Sequence, residues 1–154
     1  GDRIDLGNGM PKYTYGFNIN LYYKNFDLGL VATGAAGFKI VQSYRNQVSK
    51  KSNYTTRILD RWTGEGTSNY IPRVTEENIN WQFSALYCQD GDYRRLSNLT
   101  LGYNFAPLMN QSWCSQARLY FQVQNLATFT KYDGMDPEIG YGTSDWVSGV
   151  DLGY

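Results

Sequence analysis

Three acidic residues near the end of the chain have the side-chain chemistry of a metal site. Asp133, Asp136 and Glu138 fall within one short stretch, and oxygen ligands such as carboxylates are what calcium takes in proteins. Their spacing is not the fixed spacing of an EF-hand loop, and a polar turn explains the same residues more simply. We keep the three as a calcium candidate and expect no other metal and no cofactor.

Two other residue pairs could carry chemistry, and neither has the required neighbours. Glu76 and Glu77 would supply the two carboxylates of a glycosidase, but adjacent residues on an extended chain point to opposite sides. Cys88 and Cys114 have no histidine anywhere in the chain to complete a zinc site. The sequence therefore predicts that the chain is not an enzyme.

A long polar stretch contains aromatic and basic residues suited to contact with a ligand or a partner. Trp62 and Trp81 could stack on sugar rings, and Arg73 could bind a polar substrate group. A long loop also needs internal packing, so the same tryptophans could fill its own core or meet a partner protein. We favour the packing role and keep all three as substrate- or partner-facing candidates.

The overall composition favours strands and turns. The chain holds 14 Tyr, 7 Phe and 4 Trp beside 16 Gly and 4 Pro, a mixture typical of sheets. Its 14 Lys and Arg balance 14 Asp and Glu, which disfavours a nucleic acid partner. No apolar run approaches the roughly 20 residues of a membrane helix. Any crossing of a membrane must therefore be made by strands.

Alternating apolar and polar residues predict four strands, at 13–23, 26–33, 93–105 and 118–126. The first two are separated only by Lys24 and Asn25, which fits a two-residue hairpin. This turn would pair Tyr23 with Phe26, Leu21 with Leu28, Ile19 with Leu30 and Phe17 with Ala32. All of these partners would then share one face of the sheet.

The strand lengths and the aromatic residues at strand ends suit an antiparallel transmembrane β-barrel segment. A soluble sandwich shows the same alternation and remains the alternative. In a barrel the apolar set would face lipid: Phe17, Ile19, Leu21, Leu28, Leu30, Leu99, Leu101 and Phe121. The lumen would be lined by Asn18, Asn20, Asp27 and Gln122.

The connections alternate between short and long. Outer-membrane barrels have short periplasmic turns and long extracellular loops, so we expect 34–92 and 127–154 to be extracellular. Cys88 and Cys114 would then lie at opposite ends of an apolar band roughly 25 Å tall, too far apart for a disulfide. In a sandwich with adjacent loops the two cysteines could pair.

Several motifs resemble the SusC/RagA family of TonB-dependent transporters. They are Leu59-Asp-Arg-Trp-Thr-Gly-Glu-Gly-Thr-Ser-Asn69 with Ile71-Pro-Arg-Val74, Asp90-Gly-Asp-Tyr-Arg-Arg-Leu96, Gln124-Asn-Leu126, Lys131-Tyr-Asp-Gly-Met-Asp-Pro-Glu138 and Gly149-Val-Asp-Leu-Gly-Tyr154. The second is close to the family pattern Asp-Gly-Ser-Tyr-Leu-Arg-Leu, from which Asp92 and Arg94 depart. The resemblance covers nearly the whole chain and is weakest from 38 to 56.

This resemblance implies the C-terminal part, 1–154, of a plugged barrel of roughly 22 strands, a fragment without the plug and the final strand. The family implies a bacterial outer-membrane importer of oligosaccharides or oligopeptides. Its expected partners are a SusD-like lipoprotein at the extracellular face, TonB through the plug region, and outer-membrane lipid. A soluble carbohydrate-binding β-sandwich and a passive porin-type barrel are the alternatives.

Overall fold

The computed structural model describes residues 3–43, 56–74, 84–105, 117–138 and 149–151. These residues belong to two compact units. The sheet unit comprises Lys12–Ala36 and Asp92–Lys131, and the loop unit comprises Gly1–Pro11, Gly37–Gly91 and Tyr132–Tyr154. Within the described ranges, no helix is long and apolar enough to cross a membrane.

Within the described residues, the regular structure comprises seven strands and two short 3-10 helices. The strands are β1 (Tyr13–Tyr23), β2 (Phe26–Ala36), β3 (Lys39–Gln42), β4 (Cys88–Asp90), β5 (Tyr93–Asn104), β6 (Arg118–Thr130) and β7 (Val150–Asp151). The 3-10 helices are Thr56–Asp60 and Ala85–Tyr87. The sheet unit has the antiparallel order β1-β2-β5-β6, and the loop unit has the order β4-β3-β7.

The hairpin between β1 and β2 has the predicted register. Tyr23 pairs with Phe26, Leu21 with Leu28, Ile19 with Leu30 and Phe17 with Ala32. Lys24 adopts a positive φ of 52° in the two-residue turn, as tight hairpin turns require. The turn length and the apolar pattern therefore specify the same register, and both predictions are confirmed.

Two strands extend beyond their predicted ends. β2 continues to Ala36 instead of Thr33, because small residues without alternation still pair with β1 and β5. β6 continues to Thr130 instead of Leu126. The residues Asn125 and Leu126 lie opposite the single Ser97 in a β-bulge, and Asn125 has a φ of 50°. The bulge absorbs one extra residue, so pairing resumes after it.

The loop unit contains structure where the sequence predicted only extracellular loops, at 34–92 and 127–154. β3 pairs with β4 in the antiparallel and with β7 in the parallel direction. Phe38, Ile40 and Tyr132 are buried, with Ile40 completely inaccessible. A side chain at Gly91 would overlap Phe38 and Ile40. These strands are too short to show a periodic pattern, and their partners are distant in sequence. The sequence alone therefore did not predict them.

Candidate functional site

The sheet unit presents one continuous apolar face. Because the register is known for every strand pair, residues can be followed across the sheet in rows. Three successive rows are Tyr23-Phe26-Tyr103-Leu119, Leu21-Leu28-Leu101-Phe121 and Ile19-Leu30-Leu99-Val123. Farther along, Phe17, Ala32, Leu96 and Ala127 form the row beyond the bulge. All eight residues predicted to face lipid lie in these four rows.

This apolar face is exposed instead of packed against another layer. Phe17 is 62% exposed, Leu21 57%, Leu101 49% and Phe121 67%. Soluble monomers rarely leave a contiguous apolar surface of this kind uncovered. The face therefore needs an apolar environment supplied from outside the described part of the chain.

The opposite face of the sheet is polar. One row is Asn18-Val31-Asn98-Gln124 and the next is Asn20-Gly29-Thr100-Gln122. A third row on this face is Tyr22-Asp27-Gly102-Tyr120, so the four residues predicted to line a lumen share one face. The Asn20 side-chain amide donates to Asn18 Oδ1 at 3.3 Å, and Thr33 and Ser97 share a hydroxyl hydrogen bond at 2.7 Å.

Asp27 on the polar face forms an ion pair that the sequence analysis did not predict. Arg118 donates from Nε to Asp27 Oδ1 at 3.0 Å and from Nη2 to Oδ2 at 2.5 Å. The two residues belong to β2 and β6, so the pair spans the intervening β5. It passes over Gly102, where any side chain would overlap the carboxylate. A two-point contact of this kind fixes the guanidinium plane as well as its position.

A second crossing lies on the apolar face. The Tyr15 ring lies over Gly34, where an added Cβ would be 2.5 Å from the ring. The Tyr15 hydroxyl reaches β5 and donates to the Tyr93 carbonyl at 3.2 Å. The ring covers a glycine that would otherwise leave a gap in the apolar surface.

The loop unit contains an open cavity of about 420 Å³ lined by Trp62, Tyr70, Pro72 and Arg73, with Ser68, Asn69 and Ile71. Its walls come from a compact turn. The Trp62 amide donates to the Ile71 carbonyl at 2.9 Å, and the Ile71 amide donates to Ser68 Oγ at 3.1 Å. Two predicted contact residues, Trp62 and Arg73, therefore share one cavity. Trp81 lies outside the described residues.

The Tyr70 ring in the wall of this cavity is stabilised by a neighbouring arginine. The Arg57 guanidinium lies 5.2 Å from the centre of the Tyr70 ring, in the range of a cation–π contact. Arg57 also donates to Asp133 Oδ2 at 3.1 Å. Trp62, Tyr70 and the exposed Arg73 together offer ring faces and a cation to a ligand.

The three carboxylates proposed for calcium do not come together. Among the described residues, no group of three acidic, cysteine or histidine side chains could hold a metal ion. Asp133 Oδ1 instead accepts from Gln42 Nε2 at 2.8 Å, beside the Arg57 contact. Asp136 accepts from the Glu138 amide at 2.8 Å, as acidic residues do in turns. The acidic residues thus stabilise local structure here.

A buried polar network surrounds Asp133. Gln42 has no exposed surface, and its Oε1 accepts from Gln89 Nε2 at 3.4 Å. Gln89 Oε1 in turn accepts from the Asp133 amide at 3.2 Å. Nearby in the same unit, the buried Tyr132 hydroxyl donates to Asp151 Oδ2. The network joins β3, β4 and the 131–138 segment, and no local sequence pattern marks Gln42 or Gln89.

Cys88 carries a free thiol at the start of β4. Burial raises the pKa of this thiol above its ordinary value, with opposing smaller effects from Lys39 and Asp90. The predicted absence of a disulfide with Cys114 stays a prediction, because Cys114 lies outside the described residues. The Glu76 and Glu77 pair lies outside them as well.

Comparisons with known proteins give the chain its relatives. No family model matches it. It is 37% identical over 144 residues to TonB-dependent receptor P3 of Formosa agariphila, a match covering 91% of this chain and 14% of that protein. Receptor P26 of the same organism is 27% identical over 99% of this chain and 16% of its own length. TonB-dependent receptor SusC of Bacteroides thetaiotaomicron is 28% identical over 90% of this chain and 14% of its own length.

Solved structures give the same answer. The RagAB peptide transporter matches with a TM-score of 0.74 and 25% identity, over 97% of this chain and 16% of the matched chain. The open-open state of the RagAB peptide importer matches with a TM-score of 0.72. The chain thus spans about 14% to 16% of the length of these relatives. By sequence and by fold, the chain belongs to the TonB-dependent receptor family, which includes SusC.

Proposed function

We propose that this chain forms part of the barrel wall and extracellular rim of an outer-membrane, TonB-dependent importer. The observation that carries the proposal is the exposed apolar face of the sheet unit, backed by a polar face. Strands of 11 to 13 residues have the length that a tilted strand needs to cross the apolar core of a bilayer. The kinship with TonB-dependent receptors supports the same placement.

In this arrangement the two faces of the sheet have different tasks. The apolar rows face lipid, and the polar rows with Asn18, Asn20, Asp27 and Gln122 line the lumen. The β1–β2 hairpin is the short periplasmic turn, and the opposite strand ends lead into extracellular segments. The plug, and TonB acting through it, would belong to parts of such a receptor outside this chain.

The cargo we propose is an oligosaccharide or an oligopeptide, captured with a SusD-like surface lipoprotein. SusC is among the relatives, and the matched RagAB structures are described as a peptide importer. The cavity beside Trp62, Tyr70 and Arg73 offers ring faces for a sugar or an apolar side chain and a cation for a carboxylate. The same surface could instead meet the lipoprotein.

The placement of the faces is tested by paired substitutions at neighbouring positions. Leu99→Arg puts a charge in a central row of the apolar face, which costs roughly 2 to 4 kcal/mol at the bilayer midplane. Thr100→Arg puts the same charge one residue away on the polar face. We expect the first variant to be depleted from the outer-membrane fraction and the second to assemble normally.

Equal assembly of both variants would contradict the barrel placement. Recovery of the unmodified protein in the soluble fraction would favour the carbohydrate-binding sandwich instead. Uptake that persists without TonB would favour a passive porin. Uptake of labelled oligosaccharides and oligopeptides by cells with and without the gene then separates the two cargo classes.

A further inference from the structure

Arg94 is the one charged residue that the four strands of the sheet unit place on the apolar face. The register sets it in a row with Tyr15, Gly34 and Phe129. That row continues the apolar face, since Tyr15 and Phe17 are two residues apart on one strand. A charge on such a face needs either a partner or a route to a polar surface.

The other charged residues of these four strands have side-chain partners within the chain. Asp27 and Arg118 pair with each other on the polar face, and the buried Arg95 donates from Nε to Thr128 Oγ1 at 3.0 Å. The Arg94 side chain is exposed and forms no ion pair or hydrogen bond with the described part of the chain. Its guanidinium is therefore available to a ligand from outside.

The position of Arg94 along the strands indicates what that ligand is. Arg94 is the second residue of β5, and its partner Phe129 is the second to last of β6, at the end of the sheet away from the β1–β2 hairpin. Phe129 is 63% exposed, and the exposed Lys131 follows just after β6. Aromatic rings and long basic side chains together are typical of the boundary between apolar core and headgroups.

We propose that Arg94, assisted by Lys131, binds the phosphate of a membrane lipid at the extracellular rim of the barrel. The inference rests on the proposed function. A guanidinium matches phosphate with two parallel hydrogen bonds, while its aliphatic stem lies along the apolar face.

The test uses the complete receptor carrying this chain, purified in detergent and studied by native mass spectrometry. The probes are phosphorylated lipid A and the same lipid with its phosphates removed. A basic residue near a membrane surface contributes enough to strengthen anionic lipid binding about fivefold. We therefore expect Arg94→Leu to bind phosphorylated lipid A about fivefold more weakly. Arg94→Lys keeps the charge but loses the paired hydrogen bonds, so its binding should be intermediate. The dephosphorylated lipid should bind weakly to all variants.

The matched control is Lys24→Gln, which removes an exposed cation from the hairpin end and should leave binding unchanged. Equal binding by Arg94→Leu and the unmodified receptor would overturn the inference. Displacement of the lipid by inorganic phosphate at the same concentration would overturn the lipid assignment, because the site would then take a free anion. If the receptor is absent from the outer membrane, both this inference and the proposed function fail; if it is inserted normally and Arg94→Leu has no effect, only this inference fails.

Discussion

Replacing Gln42 with leucine tests whether the buried polar network holds the loop unit together. The Gln42 side chain is inaccessible and donates to Asp133 at 2.8 Å. Leucine fills a similar volume but cannot donate a hydrogen bond. The Asp133 carboxylate therefore keeps its contact with Arg57 and loses the hydrogen bond from the Gln42 side-chain amide. Gln89 loses its side-chain acceptor in the same step.

The size of the effect follows from these contacts. A hydrogen bond to a charged group contributes roughly 1.5 to 3 kcal/mol. The Asp133 side chain is 46% exposed, so water replaces part of the lost contact and we take a value near the lower end, about 2 kcal/mol. A loss of about 2 kcal/mol in the free energy of local opening corresponds to roughly thirtyfold faster amide exchange.

Hydrogen–deuterium exchange on the complete receptor provides the assay. The Lys39 amide donates to the Asn8 carbonyl and the Val41 amide to the Gly149 carbonyl, each at 2.8 Å, so peptides covering β3 report on the loop unit. Peptides covering β2 should not change. Gln124→Leu, at an exposed position of β6, is the matched variant and should leave β3 unchanged. Unaltered exchange of β3 in Gln42→Leu would refute the stabilising role of the network.

Two further predictions concern the packing of Gly34 and the reactivity of Cys88. Gly34→Ala should destabilise the sheet by about 1 to 3 kcal/mol, because its Cβ overlaps the Tyr15 ring. Gly16→Ala is the control and should destabilise the sheet less, because its Cβ meets only a carbonyl oxygen at 3.9 Å. Equal urea unfolding midpoints for the two variants would contradict this prediction. In a Cys114→Ser background, the raised pKa of Cys88 keeps the thiol protonated at neutral pH. Maleimide should then label it more slowly than a small thiol at pH 7, with the gap closing as pH rises; equal rates at pH 7 would argue against burial.

The strands could be predicted because their information is local. Period-two alternation marks β1 over its full length, and a two-residue turn leaves only one register that keeps the apolar partners together. The prediction stopped early where alternation disappears, after Thr33 on β2, and at the bulge, after Leu126 on β6. In both places the strand continues because it pairs with a neighbouring strand, and the strand's own sequence does not predict that pairing.

The candidate site was less predictable, because its contacts join distant residues. Trp62 and Arg73 share a cavity and could be grouped from their closeness in sequence. Gln42 and Asp133, by contrast, are 91 positions apart. Nothing near either residue distinguishes a network partner from an ordinary polar side chain. Only the pairing of β3 with β4, which local patterns do not reveal, brings Gln89 between them.

Once the register is known, two glycines of the sheet indicate where side chains cross from one strand to a strand that is not its neighbour. Gly34 allows Tyr15 of β1 to reach a carbonyl of β5 across β2, and Gly102 allows Asp27 of β2 to reach Arg118 of β6 across β5. Each crossing ties a strand to one that is not its neighbour, on opposite faces of the sheet. Any larger residue in the middle strand would occupy the path, so a strand glycine between two long or charged side chains indicates such a tie. By this reasoning the Asp27–Arg118 pair, which sequence patterns alone did not reveal, could have been inferred from the register and one glycine.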